Sequence, residues 1–109
     1  MSSILRDVKQ TLGVDPDDRT FDIDLSLHIN SALAIVHQIG LRIEPRVVDD
    51  SLEWENLYIG TYLDLVREVV VLHCRLAFDP AGYSFVNSAH EKLLEEAKVR
   101  LQYALEVPS

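Results

Sequence analysis

Basic residues are scarce in this 109-residue chain: 10 lysines and arginines stand against 18 aspartates and glutamates, for a formal net charge of -8. Such a balance lacks the excess of cations by which proteins grip phosphate backbones, which argues against sequence-specific DNA binding. The single cysteine, Cys74, cannot build an internal disulfide framework, so a small secreted scaffold is excluded and a reducing cytosol is the expected compartment. Only four glycines are present, and none forms a phosphate-cradling loop. Long apolar runs are missing as well. The longest stretch without Asp, Glu, Lys or Arg, residues 25–41, contains His28, His37, Asn30 and Gln38 and is too polar to span a membrane. Residues 1–10 carry Arg6, Asp7 and Lys9 with no apolar segment, so they read as mature protein rather than a signal peptide.

What remains is ordinary globular composition, 48% apolar and 26% charged, expected to form one domain over residues 1–109. A domain of this size buries roughly two thirds of its unfolded surface. The acid excess is uneven: residues 1–56 hold 5 basic and 11 acidic side chains (net -6), and residues 57–109 hold 5 and 7 (net -2).

Periodicity predicts an all-α domain, a small four-helix bundle-like fold with a short extra helical turn and an irregular middle loop. Ser2 and Ser3 precede Ile4, Leu5, Val8 and Leu12, a helical stripe closed by Gly13. Residues 14–20 carry the Asp-Pro and Asp-Asp chemistry of a turn. Residues 21–29 alternate apolar and polar like a half-buried strand, but Leu25, Ile29, Ala32 or Leu33, Val36 and Ile39 continue one helical face to Gly40. A helix over 22–39 explains more residues. Pro45 makes 41–50 an irregular connection, with a short extended piece expected at 46–48. Asp50 and Glu53 have the spacing of a capping box for a turn carrying Trp54 and Leu57. Residues 61–78 are apolar on most of the helical circumference and need cover from the rest of the domain or from another subunit. After Pro80, Ser84 caps a long last helix with Val86, Ala89, Leu93, Ala97, Leu101 and Ala104 or Leu105 on one face; its outer face offers i,i+4 pairs Lys92–Glu96 and Glu96–Arg100. The expected core is Ile29, Leu33, Val36, Trp54, Val66, Val69, Val70, Phe78, Leu93, Ala97 and Leu101.

Catalytic and metal patterns are weak. His28 and His37 lie nine residues apart and point in different directions, so they do not chelate one ion from one helix and read as surface or interface residues. His73 adjoins Cys74 without any CxxC or HxxxH spacing, and Cys74 reads as a small buried apolar residue. His90 belongs to no motif either. The acidic loop Asp15-Pro16-Asp17-Asp18 places Thr20 and Ser26 where an EF-hand needs glycine and glutamate, leaving a solvated, negatively charged loop. No nucleophile-base-orienter arrangement is present in the pattern, so no enzyme, cofactor or metal is expected.

The order of landmarks resembles the small head-tail connector (adaptor) proteins of siphovirus-type tailed bacteriophages. Those landmarks are Ile4-Leu5-Arg6-Asp7-Val8-Lys9 with Leu12-Gly13-Val14, Thr20-Phe21-Asp22-Ile23-Asp24, His28-Ile29-Asn30-Ser31-Ala32 with Gln38-Ile39-Gly40, Trp54, Leu76-Ala77-Phe78-Asp79-Pro80, and a closing helix with Glu95-Glu96 and Arg100-Leu101. The chain departs from that pattern in having Ala81 in place of a second proline and Val99 in place of a tryptophan before Arg100.

The resemblance implies a non-catalytic virion protein of the neck, made in the host cytoplasm. It would form a homo-oligomeric ring, commonly of twelve subunits, that docks beneath the portal protein, carries the stopper or another tail protein and lets double-stranded DNA pass. A ring subunit needs a heterologous interface, for which the 61–78 and 84–106 helices are candidates, and an acidic channel wall lets DNA slide without sticking. Loop placement nominates Asp15, Asp17, Asp18, Arg42, Arg46, Asp49 and Asp50 as contact residues. By analogy the C-terminal Tyr103, Leu105 and Val107 are candidates for portal docking. The rival classes are an acidic helical regulatory module, acting as a DNA mimic or as the inhibitor of a basic partner, and a small metal-dependent helical enzyme.

Overall fold

Helix α1, Ile4–Thr11, starts where the Ser3 hydroxyl accepts the Arg6 amide at 3.3 Å, and it buries Ile4, Leu5 and Val8. It ends in a left-handed turn at Gly13 (φ +82°), with the Val14 amide returning to the Lys9 carbonyl at 2.8 Å. The computed structural model describes residues 3–43, 46–47, 49–78 and 84–106, with the side chains of the last helix from residue 88 onward.

Helix α2, Asp22–Ile39, resolves the period-2 ambiguity. Leu25, Ile29, Ala32, Leu33 and Val36 all face the core, an arrangement only the 3.6-residue period allows. Phe21 precedes it and meets Phe78 edge to face, with ring centroids 5.1 Å apart. From Gly40 the chain runs back irregularly. Asn30 on α2 clamps it as a strand neighbour would: its amide donates to the Val47 carbonyl at 2.7 Å and accepts the Val47 amide at 2.8 Å. Val47 is fully buried in consequence. Of the extended piece expected at 46–48, Val48 lies outside the described residues.

A 3-10 turn, Trp54–Leu57, follows, but its capping differs from the sequence expectation. Glu53 is the N-cap, and its amide donates to the Asn56 side chain at 2.8 Å. Asp50 is drawn instead toward Arg6 and Arg19, at 3.8 and 3.9 Å. An antiparallel bridge between Ser3 and Glu53, with the Ile4 amide on the Leu52 carbonyl at 2.9 Å, fastens this turn to the start of α1.

A second 3-10 turn, Gly60–Tyr62, leads into α3, Leu63–Phe78, so the helix proper begins two residues later than expected. Helix α3 is the centre of the fold. It packs against both α2 and α4, Ser84–Glu106, while α2 and α4 touch each other over a short stretch. Val66, Val69, Val70, Val71 and Cys74 are buried there, so the cover that α3 needs comes from its own chain. The result is a slab of 41 × 34 × 20 Å, about two helix diameters thick.

Of the expected core, Ile29, Leu33, Val36, Trp54, Val66, Val69, Val70, Ala97 and Leu101 are buried, and Phe78 is half-buried beneath Phe21. Leu93 requires correction: it is 44% exposed, and Leu94 takes the core position. Leu94, Ala97 and Leu101 define a face one step round the helix from the stripe through Leu93, which is left at its margin; Ala89 is likewise exposed. The capping expected of Ser84 and the packing of Val86 lie outside the described side chains.

One polar cluster ties three elements together. The Asp7 carboxylate accepts from Arg67 Nε at 2.7 Å, from the second Arg67 nitrogen at 2.9 Å and from Trp54 Nε1 at 2.8 Å. The Arg67 guanidinium, followed by the Trp54 indole, holds the Asp7 carboxyl below the usual carboxylate range against the opposing effect of burial. An acid with a depressed folded pKa stabilises the fold above its unfolded value and loses that contribution as pH falls through the folded one. Asp7→Ala is expected to cost about 2 kcal/mol, because it strands the indole N–H and the guanidinium. Denaturant titrations followed by Trp54 fluorescence at pH 7 and pH 3 check this, with the deficit shrinking at the lower pH.

Candidate assembly surfaces

The sequence-nominated contact loops form two separate groups. In the first, Asp15 accepts the Asp17 amide at 2.9 Å, while Asp18 accepts both the amide and the hydroxyl of Thr20, at 3.0 and 2.6 Å. Asp49 does the same for Ser51. These carboxylates build the turns they sit in, and the hydroxyl bonds followed by the amide bonds lower the pKa of Asp18 and Asp49. Arg6 bridges the two loops: it lies 3.3 Å from Asp17 and 3.8 Å from Asp50. Asp15, Asp17, Asp18, Asp49 and Asp50 thus form one acidic edge around Arg6 and Arg19. Beside it, Lys9 is buried to 2% exposure with its ammonium 2.7 Å from Asp22, an ion pair whose lysine stem fills core space.

Arg42 and Arg46 belong elsewhere. Arg46 lines a groove between the C-terminal half of α2 and the returning chain, formed with Asn30, Leu33, Ala34, His37, Gln38 and Ile43. His37 shapes it by accepting the Ile43 amide on Nδ1 at 3.4 Å. Arg42 is exposed just before Ile43.

On α4, Tyr103 is 68% and Val99 61% exposed, one helical turn apart and facing away from Leu94, Ala97 and Leu101. Leu105, nominated with them, is half-buried, its Cδ1 3.8 Å from where a β-carbon on Gly40 would stand; Val107 lies outside the described residues. The ion pairs of this helix are also not those expected from spacing. Lys98 pairs with Glu95 at 3.4 Å, and Arg100 reaches Glu68 on α3 at 2.7 Å.

Sequence reasoning missed the outer face of α2, where Ile23 is 79% and Leu27 62% exposed. The signal was available: both are apolar residues left over from the Leu25–Ile29–Leu33 face, four residues apart on the opposite side. The groove beside Ala34 was invisible in the sequence, since it arises from Asn30 holding a segment 17 residues away.

The histidines do not assemble into a centre. Among the described residues no three His, Cys, Asp or Glu side chains are placed to hold a metal ion. His73 is half-buried, and burial, then the neighbouring His28 and Lys98, push its pKa down. No helix among the described residues is long and apolar enough to cross a membrane.

Against known proteins, a family model described as phage connector protein matches residues 4–108. No curated protein and no solved structure gives a significant match.

Cys74 gives a direct check on the packing of α3. Burial raises its thiol to about 12, so the thiolate is unavailable at ordinary pH. The native protein is expected to leave a thiol reagent unconsumed at pH 8, and a full equivalent is expected to react once denaturant unfolds it.

Proposed function

Because this chain belongs to the phage connector protein family, a family of structural proteins of the head-tail junction, we propose that it acts as a ring adaptor. In this role copies of the chain close a ring beneath the portal of the DNA-filled head, carry the stopper or tail below, and surround the path of the DNA. The observation that carries the proposal is the family match over nearly the whole chain.

Three features of the molecule support it. The chain forms a flat slab with α2 and α4 flanking α3, which leaves the outer sides of both helices available to neighbours. Exposed apolar side chains lie on both flanking helices, as a heterologous contact requires. The acidic edge gathers five carboxylates, of which Asp18 and Asp49 are held below the usual range by bonds within their own turns, and a negative wall repels phosphates and lets DNA pass. The ring size, the partners and the channel face are parts of the proposal. So is portal docking through the C-terminal end of α4.

Mixing the purified chain with DNA-filled heads that lack tails, followed by electron microscopy, tests it. A ring of added density below the portal is the expected outcome. Failure to bind the heads across a range of salt, together with salt-sensitive capture of a basic protein, would replace the adaptor with an acidic inhibitory module.

A further inference from the structure

We propose that the groove between α2 and Ile43 is the socket for Tyr103 of a second copy of this chain, so that the outer face of α4 on one subunit seats against the outer face of α2 on the next. This inference rests on the ring reading and names its interface, and it assigns Tyr103 to that interface rather than to portal docking.

Tyr103 is an exposed aromatic on a helix face, whereas the more exposed Tyr58 sits in the left-handed turn that ends the Trp54 segment. Tyr103 is 68% exposed, and the ring of a tyrosine buries a large apolar area at small entropic cost while its hydroxyl needs a partner. The groove supplies both kinds of contact. Leu33, Ala34 and Ile43 are apolar walls, and Asn30, Gln38 and Arg46 are polar groups at the rim. Its volume of about 390 Å³ suits one or two side chains rather than a whole element.

Charge selects α4 as the occupant. Arg46 is exposed and forms no ion pair among the described residues. Glu96 and Glu106 share the outward face of α4 with Tyr103, at seven- and three-residue spacing, and are likewise without ion pairs there. Helix α2 itself contains no lysine or arginine. Seating α4 against α2 places Glu96 and Glu106 near the Arg46 that borders the groove. Beyond the socket, Ile23 and Leu27 continue the apolar face toward the N-terminus of α2, as Val99 does on α4.

Placement along the domain agrees with closure. Leu105 Cδ1 lies 3.8 Å from where a β-carbon on Gly40 would stand, so the C-terminal end of α2 and the Tyr103 end of α4 are at the same level. A cyclic ring has no rise along its axis, so for an axis running along these helices the two halves of its contact must share a level. Tyr103 lies on the side of α4 opposite its buried residues Leu94, Ala97 and Leu101.

The test uses the full chain, free and bound to tailless heads. Ala34→Cys with Val99→Cys, leaving buried Cys74 in place, is expected to give a disulfide ladder extending past dimers in rings formed on heads. Tyr103→Ala and Arg46→Glu, both exposed changes that leave thermal unfolding unaltered, are each expected to reduce ring occupancy at least tenfold at a fixed concentration. Adding Glu106→Arg to Arg46→Glu is expected to restore part of the loss. Rings that form on heads but give no ladder, or only dimers, with both variants docking like wild type, overturn this interface and leave the adaptor reading intact. If the wild-type chain docks on no head, the adaptor reading and the interface fail together.

Discussion

The Asp7 carboxylate is the constraint on which the rest of the structure depends. It sits where α1, the Trp54 turn and α3 converge, and it takes three hydrogen bonds from two donors that would otherwise be left partly buried and unpaired. Thr11 extends the cluster: its hydroxyl donates to the Asp7 carbonyl at 2.9 Å, and its own carbonyl accepts from Arg75 at 3.2 Å. Bonds to charged partners contribute more than neutral ones, and leaving one partner behind costs more than the pair contributes. Short helix α1 would be marginal alone, as isolated helices of this length are. It is stable here because its apolar face is buried and its polar face is tied to α3.

Two further clamps complete the frame. Lys9 with Asp22 joins α1 to the start of α2, and Asn30 with Val47 joins the middle of α2 to the returning chain. These clamps explain why the irregular middle of the chain keeps a defined path without a sheet. The Asn30 clamp replaces ladder hydrogen bonds with side-chain bonds and aligns the returning chain with α2.

The sequence made the helices legible where one face repeats strongly, as in α1 and α3. Helix α2 was harder because Ile23 and Leu27 are apolar on its outer side, which mimics the alternation of a strand. That same excess is what makes the outer face a candidate interface. Leu93 and Leu94 illustrate a limit of pattern reading: both lie near the core face of α4, and only packing against α3 decides which goes in. The clamps were not legible at all, because Asp7 with Arg67 is a contact across 60 residues and no local rule links them. Likewise, the acidic loops were visible as charge, but not as turns whose carboxylates are engaged with their own backbone.

That engagement bears on assembly. Asp18 and Asp49 of the acidic edge bond the hydroxyl and amide of their own turns, which holds both below the usual carboxylate range. Salt, not pH, is then the variable that controls how strongly such an edge repels a like-charged surface. The exposed apolar side chains are spread over several elements: Ile23 and Leu27 on α2, Tyr58 in the turn after Trp54, and Leu93, Val99 and Tyr103 on α4. A net charge of -8 on every copy opposes association in free solution. A template that holds neighbours side by side raises their effective concentration and offsets that repulsion. In the proposed ring the filled head is that template.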